Sequence, residues 1–181
     1  MKRIGLEPFH GSSYELTYEL PHPNGGKLQK FTNLVGVIPG RNRSLPPILL
    51  GAHYDSVIDA PSMDNNATSV AHNIVLAGHY ALQSLEGDLI IAFFDAEEPP
   101  FYLGQTMGSR RFVEDYCQDI DFAAAIITAL VGHDATDVDL PIPGSVKSLF
   151  PHLKKLVAVK LILRYRANRR LQRRQEYHPY E

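Results

Sequence analysis

Two kinds of apolar patterning alternate along the chain. Tyr14 to Leu20, YELTYEL, places large side chains at every second position between acids and a threonine, which is the period of a strand with one wet face. Pro21 to Gly26 supplies turn residues, and Lys27 to Ile38 is predicted to return as the antiparallel partner. Two further stretches are apolar without interruption, Ile48 to Ala52 and Leu89 to Phe94, each bounded by glycine or proline, and Asn33 to Ile38, NLVGVI, is ended by Pro39-Gly40. A run apolar on both faces is buried on both faces, which suits interior strands of a mostly parallel sheet, although periodicity alone leaves a buried helix open. Ala67 to Ala81, rich in Ala, Leu, Ile and Val, predicts a helix that packs on that sheet.

The polar residues that end these runs carry the chemistry. Leu89 to Phe94 stops at Asp95, Glu97 and Glu98, and Ile48 to Ala52 stops at His53, Tyr54, Asp55 and Ser56. Ligands of open α/β sheets bind outside the carboxyl ends of the strands, so both clusters are expected at one crevice; a solvated turn is the plain alternative for either. His53 and Asp55 form H-x-D, in which an imidazole can ligate zinc through one nitrogen while a carboxylate orients the ring through the other. Asp64, Asn65 and Asn66 follow just before the predicted helix, where Asp64 or Asn66 could equally serve as an N-cap.

Composition adds bounds. A chain of 181 residues with 44% hydrophobic and 21% charged residues has the material for one domain with a substantial core. The single Cys117 allows no internal disulfide. The start, MKRIGLEPFH, lacks the apolar segment of an export signal, and no run is long enough to cross a membrane, so a soluble protein is expected. Charge divides the chain: residues 1–139 hold 8 of the 18 Lys and Arg and 18 of the 20 Asp and Glu, a net −10, against +8 in residues 140–181. An acidic body suits a cation site, whereas the basic segment resembles a surface arm. Arg164 to Arg174 carries six arginines but no aromatic platform or nucleic-acid motif, so no nucleic-acid partner is expected.

The order of motifs resembles the zinc-dependent aminopeptidases, a family that also includes the glutaminyl cyclases. NLVGVIPG, PPILLGAHYDS, PSMDNNATSVA, LIIAFFDAEEP and MGSRRFVED stand in the family's order between Asn33 and Asp134. The resemblance implies a three-layer αβα domain of the α/β class with a mixed, mostly parallel sheet, incomplete at its carboxyl end. It implies a zinc site of one or two ions with His53 and Glu98 as ligands, Asp55 orienting His53, and Glu97 as general base. The implied substrate is a peptide with a free amino terminus.

Departures from the family pattern fall on the ligands. The position of the bridging aspartate is Asn65, with Asp64 out of register by one; both remain candidate metal ligands. An amide oxygen ligates without charge and neutralises a pair of cations poorly. The later acidic ligand, in a pattern like D-L-V-G-H-D, is replaced in Ala129-Leu130-Val131-Gly132-His133-Asp134. A last histidine ligand has no identifiable counterpart, and His152 and His178 lack supporting spacing. The expected organisation is an aminopeptidase-like domain over residues 1–140 and a basic segment over 141–181, binding one zinc at most. Three functions stay open: an impaired metallo-exopeptidase, a non-catalytic remnant with a metal or partner site, and a cyclase acting on amino-terminal glutamine.

Overall fold

The computed structural model describes residues 1–22, 24–132 and 159–163. In chain order its strands are β1 (Glu7–Pro8), β2 (Glu15–Pro21), β3 (Leu28–Ile38), β4 (Ile48–His53), β5 (Leu89–Phe94), β6 (Ala124–Thr128) and β7 (Val159–Leu163). Helix α1 (Thr68–Tyr80) lies between β4 and β5, and α2 (Gly108–Tyr116) between β5 and β6. Among the described residues all strands join one sheet, ordered β1-β3-β5-β4-β6-β7, with β2 also paired to β3.

The alternating segment and its partner form the expected antiparallel pair, with Glu15 opposite Leu34 and Pro21 opposite Leu28. The two uninterrupted runs become β5 and β4, and Asn33 to Ile38 becomes the inner half of β3. Parallel pairing is confined to the centre, where β4 pairs β5 on one side and β6 on the other. The flanking pairings, β1 and β2 to β3, β3 to β5, and β6 to β7, are antiparallel. The expectation of a mixed sheet therefore stands, but its parallel share is smaller than the apolar runs suggest. β3 owes its dry half to the helices that cover it, and burial on both faces carries no information about strand direction.

The two faces are covered by different helices. Leu49, Ile90, Ala92 and Phe94 pack with Phe112 of α2, whereas Leu50, Ala52, Ile91 and Phe93 pack with Ala77 of α1. Parallel crossovers are right-handed, so the step from β4 to β5 carries its helix over one face and the step back from β5 to β6 carries the next over the other. Connections leaving β4 and β5 thus diverge to opposite faces, which opens a crevice between their carboxyl ends. His53 closes β4, and Asp95 to Glu98 follow β5.

Two departures concern boundaries. The helix begins at Thr68, and its N-cap residue Ala67 makes no side-chain capping bond, so neither Asp64 nor Asn66 caps it; Met63–Ala67 forms a wide preceding turn. At the other end, Val159–Leu163 continues the sheet beside β6, so the segment after residue 140 is not wholly a surface arm. The arginine-rich stretch, His152 and His178 lie outside the described residues. No helix among the described residues is long and apolar enough to cross a membrane.

The start of α2 is held tightly against the end of β5. The Gly108 amide donates to the Asp95 carbonyl at 2.8 Å, and buried Asn33 donates to the Gly108 carbonyl at 2.8 Å while accepting the Asp95 amide at 3.0 Å. A Cβ at Gly108 would stand 2.3 Å from both Asn33 Oδ1 and the Asp95 carbonyl oxygen. Gly108→Ala is expected to destabilise the fold by about 1–3 kcal/mol or more through this overlap. Gly78→Ala, inside α1 with nothing within 4 Å of the added carbon, should stabilise it by up to about 1 kcal/mol. Urea denaturation of the two variants reads both signs.

Candidate metal centre

The carboxyl ends of β4 and β5 are tied together by one side chain. Asp55 Oδ2 accepts the backbone amides of Glu97 at 2.9 Å and Glu98 at 2.8 Å. Its other oxygen lies 3.4 Å from His53 Nδ1, which also lies 3.2 Å from the Asp55 carbonyl oxygen. Ahead of the glutamates, buried Ala96 takes a left-handed φ of 57°, the sharp turn that lets the chain leave β5 and present both carboxyl groups toward β4. A non-glycine residue held so is uncommon, and such geometry clusters at functional sites.

The result is a convergence of donors. One ligand atom each from His53, Glu97 and Glu98 lie within 4.8 Å of one another, and His53 Nε2 stands 3.7 Å from Glu97 Oε2. His53 and Glu98 are buried, while Glu97 is partly exposed. Asn65 sits between the first and the last: His53 Nε2 lies 3.1 Å from Asn65 Oδ1, and Asn65 Nδ2 donates to Glu98 Oε1. Reversing this carboxamide would set its oxygen against the Glu98 carboxylate, so the orientation shown is the one that satisfies both ends. Both His53 nitrogens then face oxygen acceptors, which suits the doubly protonated ring.

Electrostatics agree. Burial disfavours charge on His53, but hydrogen bonding to Asp55 and the charges of Glu97, Asp55 and Glu98 outweigh it, and its pKa is raised. Burial likewise opposes ionisation of Asp55, but His53 and the two glutamate amides outweigh it and hold its pKa below the usual carboxylate range. Glu97 moves the other way: burial raises its pKa, helped by Glu98 and Asp55 and opposed by His53.

Of the residues proposed from sequence, His53, Asp55, Asn65, Glu97 and Glu98 are thus brought together. Asp64 is not in the cluster; its Oδ1 accepts the Gly132 amide at 2.6 Å and lies 3.4 Å from the Thr68 hydroxyl. Asp95, equally prominent at the strand end, is structural, accepting the amides of Thr32 and Ala96 at 2.8 Å each. Ala129 follows β6 with only a methyl group to offer, and His133 and Asp134 lie outside the described residues. Asn66 has a role that the linear pattern does not reveal. Fully buried, it donates to the carbonyls of His53 and Thr128 at 3.2 Å each and accepts the Leu130 amide at 3.3 Å, joining the ends of β4 and β6.

The His53–Asp55 pair makes the metal-free protein's stability depend on pH at both ends. The raised His53 pKa contributes stability present in full below its ordinary 6.5 and lost as pH rises through the folded value. The lowered Asp55 pKa contributes stability present above its ordinary 3.8 and lost as pH falls through the folded value. Thermal unfolding in chelator should therefore show a midpoint that declines on both sides, and the difference from Asp55→Asn should be largest between them. A constant difference across pH would refute the pairing.

Comparison with known proteins bears on the same residues. Residues 33–154 match Peptidase family M28, more than half of the chain. The vacuolar membrane protease of Schizosaccharomyces japonicus is 37% identical over 109 residues, covering 60% of this chain and 12% of that protein, so the chain spans a small part of that relative's length. Among solved structures, Tannerella forsythia glutaminyl cyclase aligns with a TM-score of 0.58 at 21% identity, covering 74% of this chain and 50% of that one. The aminopeptidase from Aneurinibacillus sp. strain AM-1 aligns with a TM-score of 0.52 at 24% identity, covering 59% and 26%. These two share the fold. The family match takes in the strand ends that carry His53, Glu97 and Glu98 and the turn that carries Asn65, and the chain belongs to Peptidase family M28.

Proposed function

We propose that the chain is a metal-dependent exopeptidase that hydrolyses the peptide bond beside a free amino terminus, with one ion and at reduced rate. The observation that carries this reading is the convergence of His53, Glu97 and Glu98 within 4.8 Å at the crevice between β4 and β5. One imidazole and neighbouring carboxylates form a donor set that fits zinc. His53 Nε2 and Glu98 would hold the ion, with Asn65 Oδ1 as a neutral third donor. Bound there, zinc would supply Lewis acidity and bring a water's pKa toward neutrality.

The remaining steps belong to the chain's own groups. Asp55 orients the His53 ring, and the amide pair it accepts fixes Glu97 and Glu98 relative to that ring. Glu97, partly exposed and with a raised pKa, takes the proton of the attacking water and passes it to the leaving amine. Asn65 and Ala129 stand where the family resemblance places acidic ligands, so less negative charge surrounds the ion and the scissile carbonyl is polarised less. Losing one contact to developing charge commonly costs about 10²–10³-fold in rate, which puts turnover near background.

A non-catalytic reading has its own support, because Asn65 already satisfies His53 and Glu98 without an ion. Cyclisation of amino-terminal glutamine is a further alternative, consistent with the fold shared with the Tannerella forsythia enzyme.

Calorimetric titration should find one tight zinc per chain at most, and two tight sites would mean that Asn65 and Ala129 are compensated by other donors. Aminoacyl anilides assayed with zinc should be cleaved weakly or not at all by the chain as given, and faster by Asn65→Asp combined with Ala129→Asp. Glu97→Gln should abolish whatever rate is found. Robust cleavage by the unaltered chain would overturn the impaired-enzyme reading; turnover of a glutaminyl peptide without anilide cleavage would favour the cyclase.

A further inference from the structure

The Asn65 carboxamide is itself an amide, held between His53 and Glu98 beside the Glu97 carboxylate. Its oxygen faces His53 Nε2 at 3.1 Å, its nitrogen donates to Glu98 Oε1, and the Glu97 carboxylate lies within 4.8 Å of the donor atoms of both partners. A substrate amide asks for the same three contacts: a hydrogen-bond donor at the oxygen, a carboxylate at the nitrogen and a base for water.

We infer that the site hydrolyses its own Asn65 side chain, converting that residue to aspartate. Water is the co-reactant. Glu97 takes a proton from a water that attacks Cγ, and a C–O bond forms as the carbonyl electrons move to Oδ1, where the His53 Nε2–H group receives the charge. The intermediate collapses, the Cγ–Nδ2 bond breaks, and Glu97 returns the proton to the nitrogen, which departs as ammonia. The new carboxylic acid gives its proton to that ammonia, leaving a carboxylate and ammonium. No oxidant or reductant is involved.

Two physical points favour the step. The reacting amide is part of the chain, so it is held in place permanently and no binding entropy opposes the encounter. The reaction happens once per chain, so a rate far too slow for a peptidase is sufficient. Its product would put a carboxylate between His53 and Glu98, where the amide now supplies none, and so strengthen the site for a cation.

The inference rests on the proposed role of Glu97 as the base of an amide hydrolase, and it is tested without measuring turnover. The full chain, purified rapidly, is incubated with chelator in heavy-oxygen water, and the peptide bearing position 65 is followed by tandem mass spectrometry. Folded protein should accumulate aspartate alone at this position, with the mass shift of an amide-to-acid exchange and one heavy oxygen. Glu97→Gln and protein unfolded in urea should keep asparagine, and circular dichroism confirms that the variant is folded. His53→Gln should slow conversion as an independent variant.

Persistence of asparagine in the folded wild-type chain would overturn the inference. So would a mixture of aspartate and isoaspartate forming equally in Glu97→Gln or in urea, the pattern of ordinary attack by the following backbone nitrogen. Conversion of Asn65 while even Asn65→Asp combined with Ala129→Asp cleaves no anilide would leave the inference standing and remove the peptidase reading; anilide cleavage with Asn65 intact would do the reverse.

Discussion

Asp55 accepts two successive backbone amides, those of Glu97 and Glu98, with one oxygen and faces His53 with the other. The exits of β4 and β5 therefore cannot move independently: a displaced Glu97–Glu98 turn would leave a partly buried carboxylate short of partners. The same bonds that hold Asp55 ionised also fix the direction in which the two glutamates project. The geometry of the candidate site and local stability here have one cause, because the same contacts of Asp55 hold His53, Glu97 and Glu98 in place.

Around this link stands a set of buried amides that fastens the sheet's carboxyl end strand by strand. Asn33 joins β3 to the end of β5 and the start of α2. Asn66 joins the ends of β4 and β6, and Asn73 donates to the Thr128 hydroxyl at 3.0 Å, which in turn donates to the Gly51 carbonyl at 3.3 Å. Buried Asn33 and Asn66 are tolerated because these contacts replace water at both ends of the amide, whereas Asn73 is satisfied at its nitrogen and its Oδ1 has no partner among the described residues. The apolar layers on either face give the fold its driving force, while these asparagines decide how the loops above it are set.

Asn65 belongs to a different category from the other asparagines. Its partners are His53 and Glu98, which are side chains capable of chemistry and not backbone groups in need of satisfaction. In the metal-free protein the carboxamide bridges the His53 ring and the Glu98 carboxyl group. An ion entering between His53 and Glu98 would have to displace that bridge.

The sequence by itself determined the α/β class, the antiparallel β2–β3 pair, the buried β4 and β5, the helix after residue 67, and the strand-end residues His53, Asp55, Glu97 and Glu98. These were legible because side-chain period and the abrupt change from apolar to polar are local properties, and because the family's motifs are contiguous. The antiparallel direction of β3 against β5 was not legible, since an apolar run reports burial and is silent about its neighbour. Nor were the parts of Asp64, Asn66 and Asp95: an acid or amide beside a helix start or strand end has the same appearance whether it caps, chelates or staples. Only the tertiary structure decided among these, because each role is set by partners distant in sequence: Gly132 for Asp64, Thr128 for Asn66, and Thr32 for Asp95.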